Sequence, residues 1–144
     1  MTPDQANTAP WNDAWTNVRN LVRQTFTPSL PRLNGVEVEL VVANPGPPSA
    51  EVTMTLMDAD RKSLAVVSKT VPVADCSQVL FLLPDGGLRV SPGQVYAIGL
   101  SSIGSVFGWK YVVGGYPNGA ASFNGKPLLR DTRSTFLFRT FGGN

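Results

Sequence analysis

The sequence predicts an all-β fold, a single antiparallel β-sandwich of about eight or nine strands. Apolar side chains recur at every second position over short segments, as in residues 36–42, where Glu37 and Glu39 separate valines and a leucine. This period of two is the period of a half-buried strand. The 14 glycines and 12 prolines among 144 residues favour frequent turns over long helices. The length suits one domain.

The predicted strands follow one another at near-regular spacing, with turn residues between them. The segments between strands are rich in Asn, Asp, Gly and Pro, at residues 44–48, 58–62 and 85–87 among others. No fixed repeat and no internal linker divides the chain. The predicted strands are residues 25–27, 36–42, 52–56, 64–73, 79–83, 95–100, 107–113, 120–123 and 134–141.

The first 22 residues differ from the rest, and we expect an N-terminal segment over 1–22 packed on a β-sandwich domain over 23–144. Trp11, Trp15, Val18 and Val22 fall at helical spacing, which indicates a short helix. An irregular segment that lays both tryptophans on a sheet fits the pattern equally well. In either case these tryptophans are expected to pack rather than to bind a ligand.

The charge pattern does not favour nucleic acid as a partner. The net charge is +2, although residues 86–144 hold six bases and one acid. Such a basic half can attract anionic ligands. Arg130, Arg133 and Arg139 lack the dense clustering of nucleic-acid binders.

Several kinds of chemistry are excluded or disfavoured by residue content. The chain has no histidine, which excludes Ser-His-Asp and Cys-His relays and histidine-bearing zinc sites. The lone Cys76 is expected to be a small buried side chain rather than a nucleophile. No apolar run is long enough to span a membrane, and the first 25 residues lack the apolar core of a signal peptide. We therefore expect no enzyme and no membrane span.

A series of strand-and-turn motifs covering residues 4–141 resembles a widespread bacterial β-sandwich domain. It is similar to the jelly rolls of the carbohydrate-binding-module-like and galactose-binding-like domains. The motifs that carry the resemblance are residues 24–28, 33–38, 52–59, 90–97, 107–111, 119–125 and 136–141.

The resemblance implies a jelly-roll-like fold and an accessory module that binds glycans, often with one structural calcium ion. The chain departs from this pattern because it shows no export signal and no cluster of acids at a recognisable calcium site. Asp58 and Asp60 are spaced like the opening of a calcium loop but favour a plain turn. No metal ligand is therefore assigned, and no other cofactor is expected.

The candidate ligand-binding residues lie in the last third of the chain. Sugars stack on flat aromatic rings while polar side chains fix their hydroxyl groups. On a strand, Trp109 and Tyr111 share one face and Lys110 the other, so the rings are available only if their face points outward. The candidate contacts are Trp109, Tyr111, Tyr116, Asn118, Asn124 and Arg130.

The sequence thus predicts a non-catalytic binding module, with a carbohydrate or a neighbouring protein domain as its partner. We expect it outside the cell or at the cell surface as part of a longer protein, although the missing signal peptide leaves the cytoplasm open. The alternative is a structural or protein-interaction sandwich without a small ligand. A third hypothesis, a glycosidase, requires two carboxylates about 5–10 Å apart in a cleft.

Overall fold

The chain folds into antiparallel β-sheets in a computed structural model that describes residues 1–19, 22–123, 126–127 and 133–144. A single short 3-10 turn at Val73–Asp75 is the one helical element among these residues. The strands are β1 (Thr2–Asn7), β2 (Trp15–Asn17), β3 (Val22–Phe26), β4 (Arg32–Val38), β5 (Leu40–Val42), β6 (Ser49–Asp58), β7 (Ser63–Pro72), β8 (Val79–Leu82), β9 (Leu88–Arg89), β10 (Tyr96–Ser102), β11 (Phe107–Val113), β12 (Ala121–Phe123), β13 (Lys126–Pro127), β14 (Ser134–Phe136) and β15 (Phe138–Gly143).

The strands form three antiparallel sheets. The first has the order β1-β15-β4-β8, with β9 also paired to β4. The second has the order β13-β12-β3-β10-β6-β7. The third has the order β14-β11-β2, with β5 also paired to β11. The predicted all-β, sandwich-like fold is confirmed, with more and shorter strands than expected.

Alternation along the strands explains why the segments fold this way. In β6, Val52, Met54 and Leu56 are fully buried, while Thr53 and Thr55 between them stay partly exposed. The same period of two buries Val22, Gln24 and Phe26 in β3. One face of each strand therefore supplies the core, and the other face is available to solvent.

A three-way backbone junction joins the first and third sheets. The chain runs from β4 into β5 through Glu39, and from β14 into β15 through Leu137. At this point Glu39 N–H donates to the Leu137 carbonyl (3.3 Å), Leu137 N–H to Lys110 (2.9 Å) and Lys110 N–H to Glu39 (3.1 Å). In the first sheet, β4 and β15 pair with each other. Beyond the junction their continuations, β5 and β14, both pair with β11 of the third sheet.

The second sheet packs its apolar face against the other two. Phe26 of β3 lies 6.4 Å from Phe138 of β15, measured between ring centroids. The buried Gln24 side chain crosses between layers, where its Oε1 accepts a hydrogen bond from Phe136 N–H at 2.7 Å. Because a buried amide would be costly without partners, this bond fixes how the two layers sit on each other.

The helix proposed for the N-terminal segment does not form in its described part. Residues 2–7 pair with β15 and residues 15–17 pair with β11, both as antiparallel strands. The spacing of Trp11, Trp15 and Val18 is compatible with a helix, but long-range pairing with existing strands outweighs it. Residues 20 and 21 lie outside the described part of the chain.

Removing the Trp109 side chain should destabilise the fold far more than removing that of Trp15. Trp109 is fully buried, whereas Trp15 is 41% exposed. We expect Trp109→Ala to lower the free energy of unfolding by about 3–5 kcal/mol, as for other buried aromatic residues. Trp15→Ala should cost less than about 2 kcal/mol. Urea unfolding followed by far-ultraviolet circular dichroism measures both, and equal losses would contradict the assignment of Trp109 to the core.

Candidate functional site

The three aromatic rings expected at the binding site all lie in the core. Trp109 is 0% exposed, Tyr111 7% and Tyr116 6%. The face of β11 that carries Trp109 and Tyr111 points inward, which is the arrangement that removes them from a ligand. The three residues therefore expose little surface on which a sugar could stack.

Trp109 holds the junction together from the inside. Its ring stacks on Phe136 with centroids 4.0 Å apart and planes inclined by 9°. Its Nε1–H donates to the Leu137 carbonyl at 3.0 Å. Tyr111 meets the same Phe136 edge-on at 6.3 Å. These are the contacts of structural side chains.

Tyr116 closes a loop onto the strands. Its hydroxyl accepts a hydrogen bond from Thr27 N–H at 3.0 Å and donates one to Gln5 Oε1 at 2.8 Å. Its ring packs edge-on against Phe138 at 5.1 Å. Burial raises the pKa of the phenol above its usual value of 10.0. Tyr116 also lines a cavity of about 310 Å³ together with the surrounding glycines, Pro117 and Arg133.

Of the polar members of the predicted set, only Asn118 lies in the described part of the chain. Asn118 is exposed, and its carbonyl accepts a hydrogen bond from the Thr27 hydroxyl at 3.4 Å. Asn124 and Arg130 lie outside the described residues. Among the described members of the set, the three aromatic residues are buried and Asn118 is exposed.

An exposed aromatic surface lies on the opposite face of β11. Trp15 is directly opposite Lys110 in the β2–β11 pair, and its ring leans over Gly108. A Cβ at Gly108 would come within 2.5 Å of Trp15 Cε3. The glycine therefore allows the indole to lie flat against the strand.

Trp11 and two charged side chains extend this surface. Lys110 Nζ lies 4.5 Å from the centroid of the Trp11 ring and 4.0 Å from Glu39 Oε1. Trp11 Nε1–H donates to the Ala14 carbonyl at 2.6 Å, which fixes the ring. Together Trp11, Trp15, Gly108, Lys110 and Glu39 form what we call the tryptophan platform.

Sequence reasoning assigned these tryptophans to packing, yet one signal pointed to the platform. Gly108 interrupts an aromatic strand, and a glycine inside a strand often marks the close approach of another group. The identity of that group depends on the pairing of β2 with β11, which the local pattern does not reveal.

The other candidate chemistry finds little support in the described residues. Cys76 is buried, and burial raises the pKa of its thiol, which disfavours the reactive thiolate. Within the described ranges no group of three or more Cys, Asp or Glu is placed to hold a metal ion. No helix in the same part of the chain is both long and apolar enough to cross a bilayer.

Comparison with known proteins does not assign the chain to a family. No protein-family model matches the chain, and a search of curated proteins gives no significant match. The resemblance to carbohydrate-binding jelly rolls therefore stays a prediction. Any function proposed for the chain has to rest on the geometry of the site.

Replacing Tyr116 with phenylalanine tests its structural role through pH. The phenol has a higher pKa in the folded chain, so the unfolded chain loses this proton first as the pH rises. This contribution to wild-type stability is complete below about pH 10 and is lost above it. Tyr116→Phe should be less stable by about 1 kcal/mol near neutral pH, because two hydrogen bonds are lost.

The stability difference between wild type and Tyr116→Phe should then shrink as the pH rises past about 10, since only the wild type loses this contribution. Urea unfolding at neutral and alkaline pH measures both free energies. A difference that stays constant across this range would contradict the buried, hydrogen-bonded phenol.

Proposed function

We propose that the chain is a non-catalytic module that binds carbohydrate on the tryptophan platform. The observation that carries this proposal is Trp15, a residue that is 41% exposed and whose ring lies against Gly108 of β11. A contiguous exposed apolar surface, unlike a single exposed side chain, often marks an interaction site, and Trp15 and Trp11 lie side by side along Lys110. A sugar ring offers a matching flat C–H face.

The neighbouring charges suit a polar, hydroxyl-rich ligand. The side chains of Lys110 and Glu39 are 15% and 28% exposed, so each still reaches solvent beside the rings. An ammonium group donates hydrogen bonds and a carboxylate accepts them, which is the pair of functions that sugar hydroxyls require. Stacking would supply contact area, and these two side chains would set orientation.

The platform is held rigidly enough to recognise a ligand without first becoming ordered. The Ala14 carbonyl accepts hydrogen bonds from the Trp11 indole and from Tyr111 N–H. Lys110 is bonded through both its N–H and its carbonyl to the junction. A ring that is already held by a hydrogen bond, as the Trp11 ring is, costs little conformational entropy on binding.

We place catalysis outside the proposed role. The chain has no histidine, and the neighbouring carboxylates Glu37 and Glu39 are each close to a basic side chain, at 3.9 Å from Arg139 and 4.0 Å from Lys110. A binding module of this kind would work as part of a longer secreted or surface protein, where it would keep a partner domain near a polysaccharide.

Affinity gel electrophoresis over a panel of soluble polysaccharides tests the proposal. At least one polysaccharide should retard the wild-type chain. Trp15→Ala should weaken this binding at least about tenfold, because it removes a stacking ring worth about 1 kcal/mol or more beyond its buried area.

Gly108→Ala offers a second, subtler variant, with Gly143→Ala as its matched control. The added methyl group at Gly108 would lie 2.5 Å from Trp15 Cε3, so the ring has to move and binding should weaken. Far-ultraviolet circular dichroism checks that the variant is folded. The same methyl group at Gly143 meets its nearest atom, Asn34 Oδ1, at 3.6 Å and should change nothing. No retardation across the panel, or retardation that survives both Trp15→Ala and Gly108→Ala, would contradict the proposal.

A second candidate function is protein binding on the outer face of the first sheet. Leu82 is 56% exposed and Met1 65% exposed, and Met1 and Leu80 both cover Gly35. An apolar patch of this kind suits a neighbouring domain. A panel without retardation, combined with self-association in sedimentation that Leu82→Glu abolishes, would favour this function instead.

A further inference from the structure

We infer that a cavity on the outer face of the second sheet binds a small organic anion between Arg23 and Arg61. The cavity measures about 240 Å³. Strand β3 contributes Arg23 to it, the β6–β7 turn contributes Arg61, and β12 contributes Ser122. This site lies on a different sheet from the tryptophan platform and does not depend on the carbohydrate proposal.

Arg23 lacks an acceptor that its position requires. Its Nε is buried and has no hydrogen-bond partner in the described part of the chain. The residues opposite it are Gly99 on β10 and Ser122 on β12, so no carboxylate faces it across the sheet. Buried donors are nearly always paired in folded proteins, and an unpaired charged one is especially unfavourable. Arg23 also lines the cavity, so an anion bound there would offset the charge of this guanidinium group.

Arg61 provides a second cationic group that forms no ion pair with a described residue. It occupies the left-handed region (φ 64°) in the turn between β6 and β7, where its N–H donates to the Asp58 carbonyl at 3.0 Å. The Asp58 carboxylate borders the same cavity, but its Oδ1 accepts hydrogen bonds from Asp60 N–H and Lys62 N–H, both at 2.9 Å. Asp58 therefore holds the turn while its charge stays in the lining, so two arginines and one aspartate leave the cavity with one net positive charge. The ion pairs among described side chains include neither Arg23 nor Arg61.

The lining sets the chemical class of the ligand. Planar guanidinium groups match the paired oxygens of a carboxylate or a phosphate. Val95, 44% exposed, and Ala97 supply an apolar wall beside them, while Ser122 adds a hydroxyl. The volume suits a molecule smaller than most drug-sized ligands. A carboxylate or phosphate ester carrying a small apolar group fits both parts of the lining.

Titration with benzoate and phenyl phosphate, followed by the NMR signal of the Arg23 Nε–H group, tests the inference. Acetate and inorganic phosphate serve as the same oxyanions without an apolar group. We expect a saturable shift of this signal with benzoate, phenyl phosphate or both, with at least about tenfold tighter binding than the matching simple ion, because the apolar wall adds contact area. A preference between benzoate and phenyl phosphate would identify which oxyanion the site takes.

Variants separate this site from general attraction to a basic chain. Isothermal titration of the preferred probe should show at least about tenfold weaker binding to Arg23→Gln and to Arg61→Asn, since each loses a charge-assisted hydrogen bond. Asparagine tolerates the left-handed backbone at position 61, so the turn should persist. Arg89→Gln, an exposed arginine on β9, should bind like the wild type.

Two results would overturn the inference. One is the absence of a saturable Arg23 shift with every probe. The other is binding that Arg61→Asn leaves unchanged or that Arg89→Gln weakens equally. If Arg23→Gln fails to fold, Arg61→Asn and the wild-type Arg23 signal still decide the question. Trp15→Ala should leave anion binding unchanged, so failure of the carbohydrate proposal and failure of this one are separable.

Discussion

Three strands meet at one cyclic set of backbone hydrogen bonds, and the position of the tryptophan platform depends on it. Glu39, Lys110 and Leu137 each donate an N–H to another member of the set. The junction fixes the register of β11, and a slip by one residue would exchange its inner and outer faces. Trp109 strengthens this arrangement from inside through its stacking on Phe136 and its bond to Leu137.

The two faces of β11 therefore have opposite roles. The inner face stabilises the sandwich with the buried rings of Trp109 and Tyr111, and the indole N–H of Trp109 is bonded to the Leu137 carbonyl. The outer face presents Trp15 over Gly108, with Lys110 held between Trp11 and Glu39. Arg23 differs from all of these, because its buried Nε has no partner within the described ranges. Polar groups that a fold leaves unsatisfied are where a ligand is best sought.

The positions of the strands were predictable from the sequence. Which face of β11 points into the core was not. Val52, Met54 and Leu56 alternate with threonines, so the pattern predicts which face of this strand is buried. Residues 107–113 carry large side chains at Trp109 and Tyr111 and mixed ones between, so periodicity alone cannot say which face is inside. The core position of Trp109 depends on the pairing of its strand, β11, with β2, β5 and β14.

The candidate sites depend on contacts between distant parts of the chain, which explains why they were missed. Trp15 and Trp11 have helical spacing, and only their pairing partners reveal a strand and an exposed ring. In the sequence, Arg23 is one of several scattered arginines. Only the strand register shows that Gly99 and Ser122 lie beside it. The chain has three tryptophans, so an NMR spectrum should contain three assignable indole N–H signals. Following these signals during titration with a polysaccharide that retards the chain tests most directly whether the tryptophan platform is the binding surface. Shifts at Trp15 and Trp11 with an unchanged Trp109 signal are expected; a shift confined to Trp109, or none at Trp15, would contradict it.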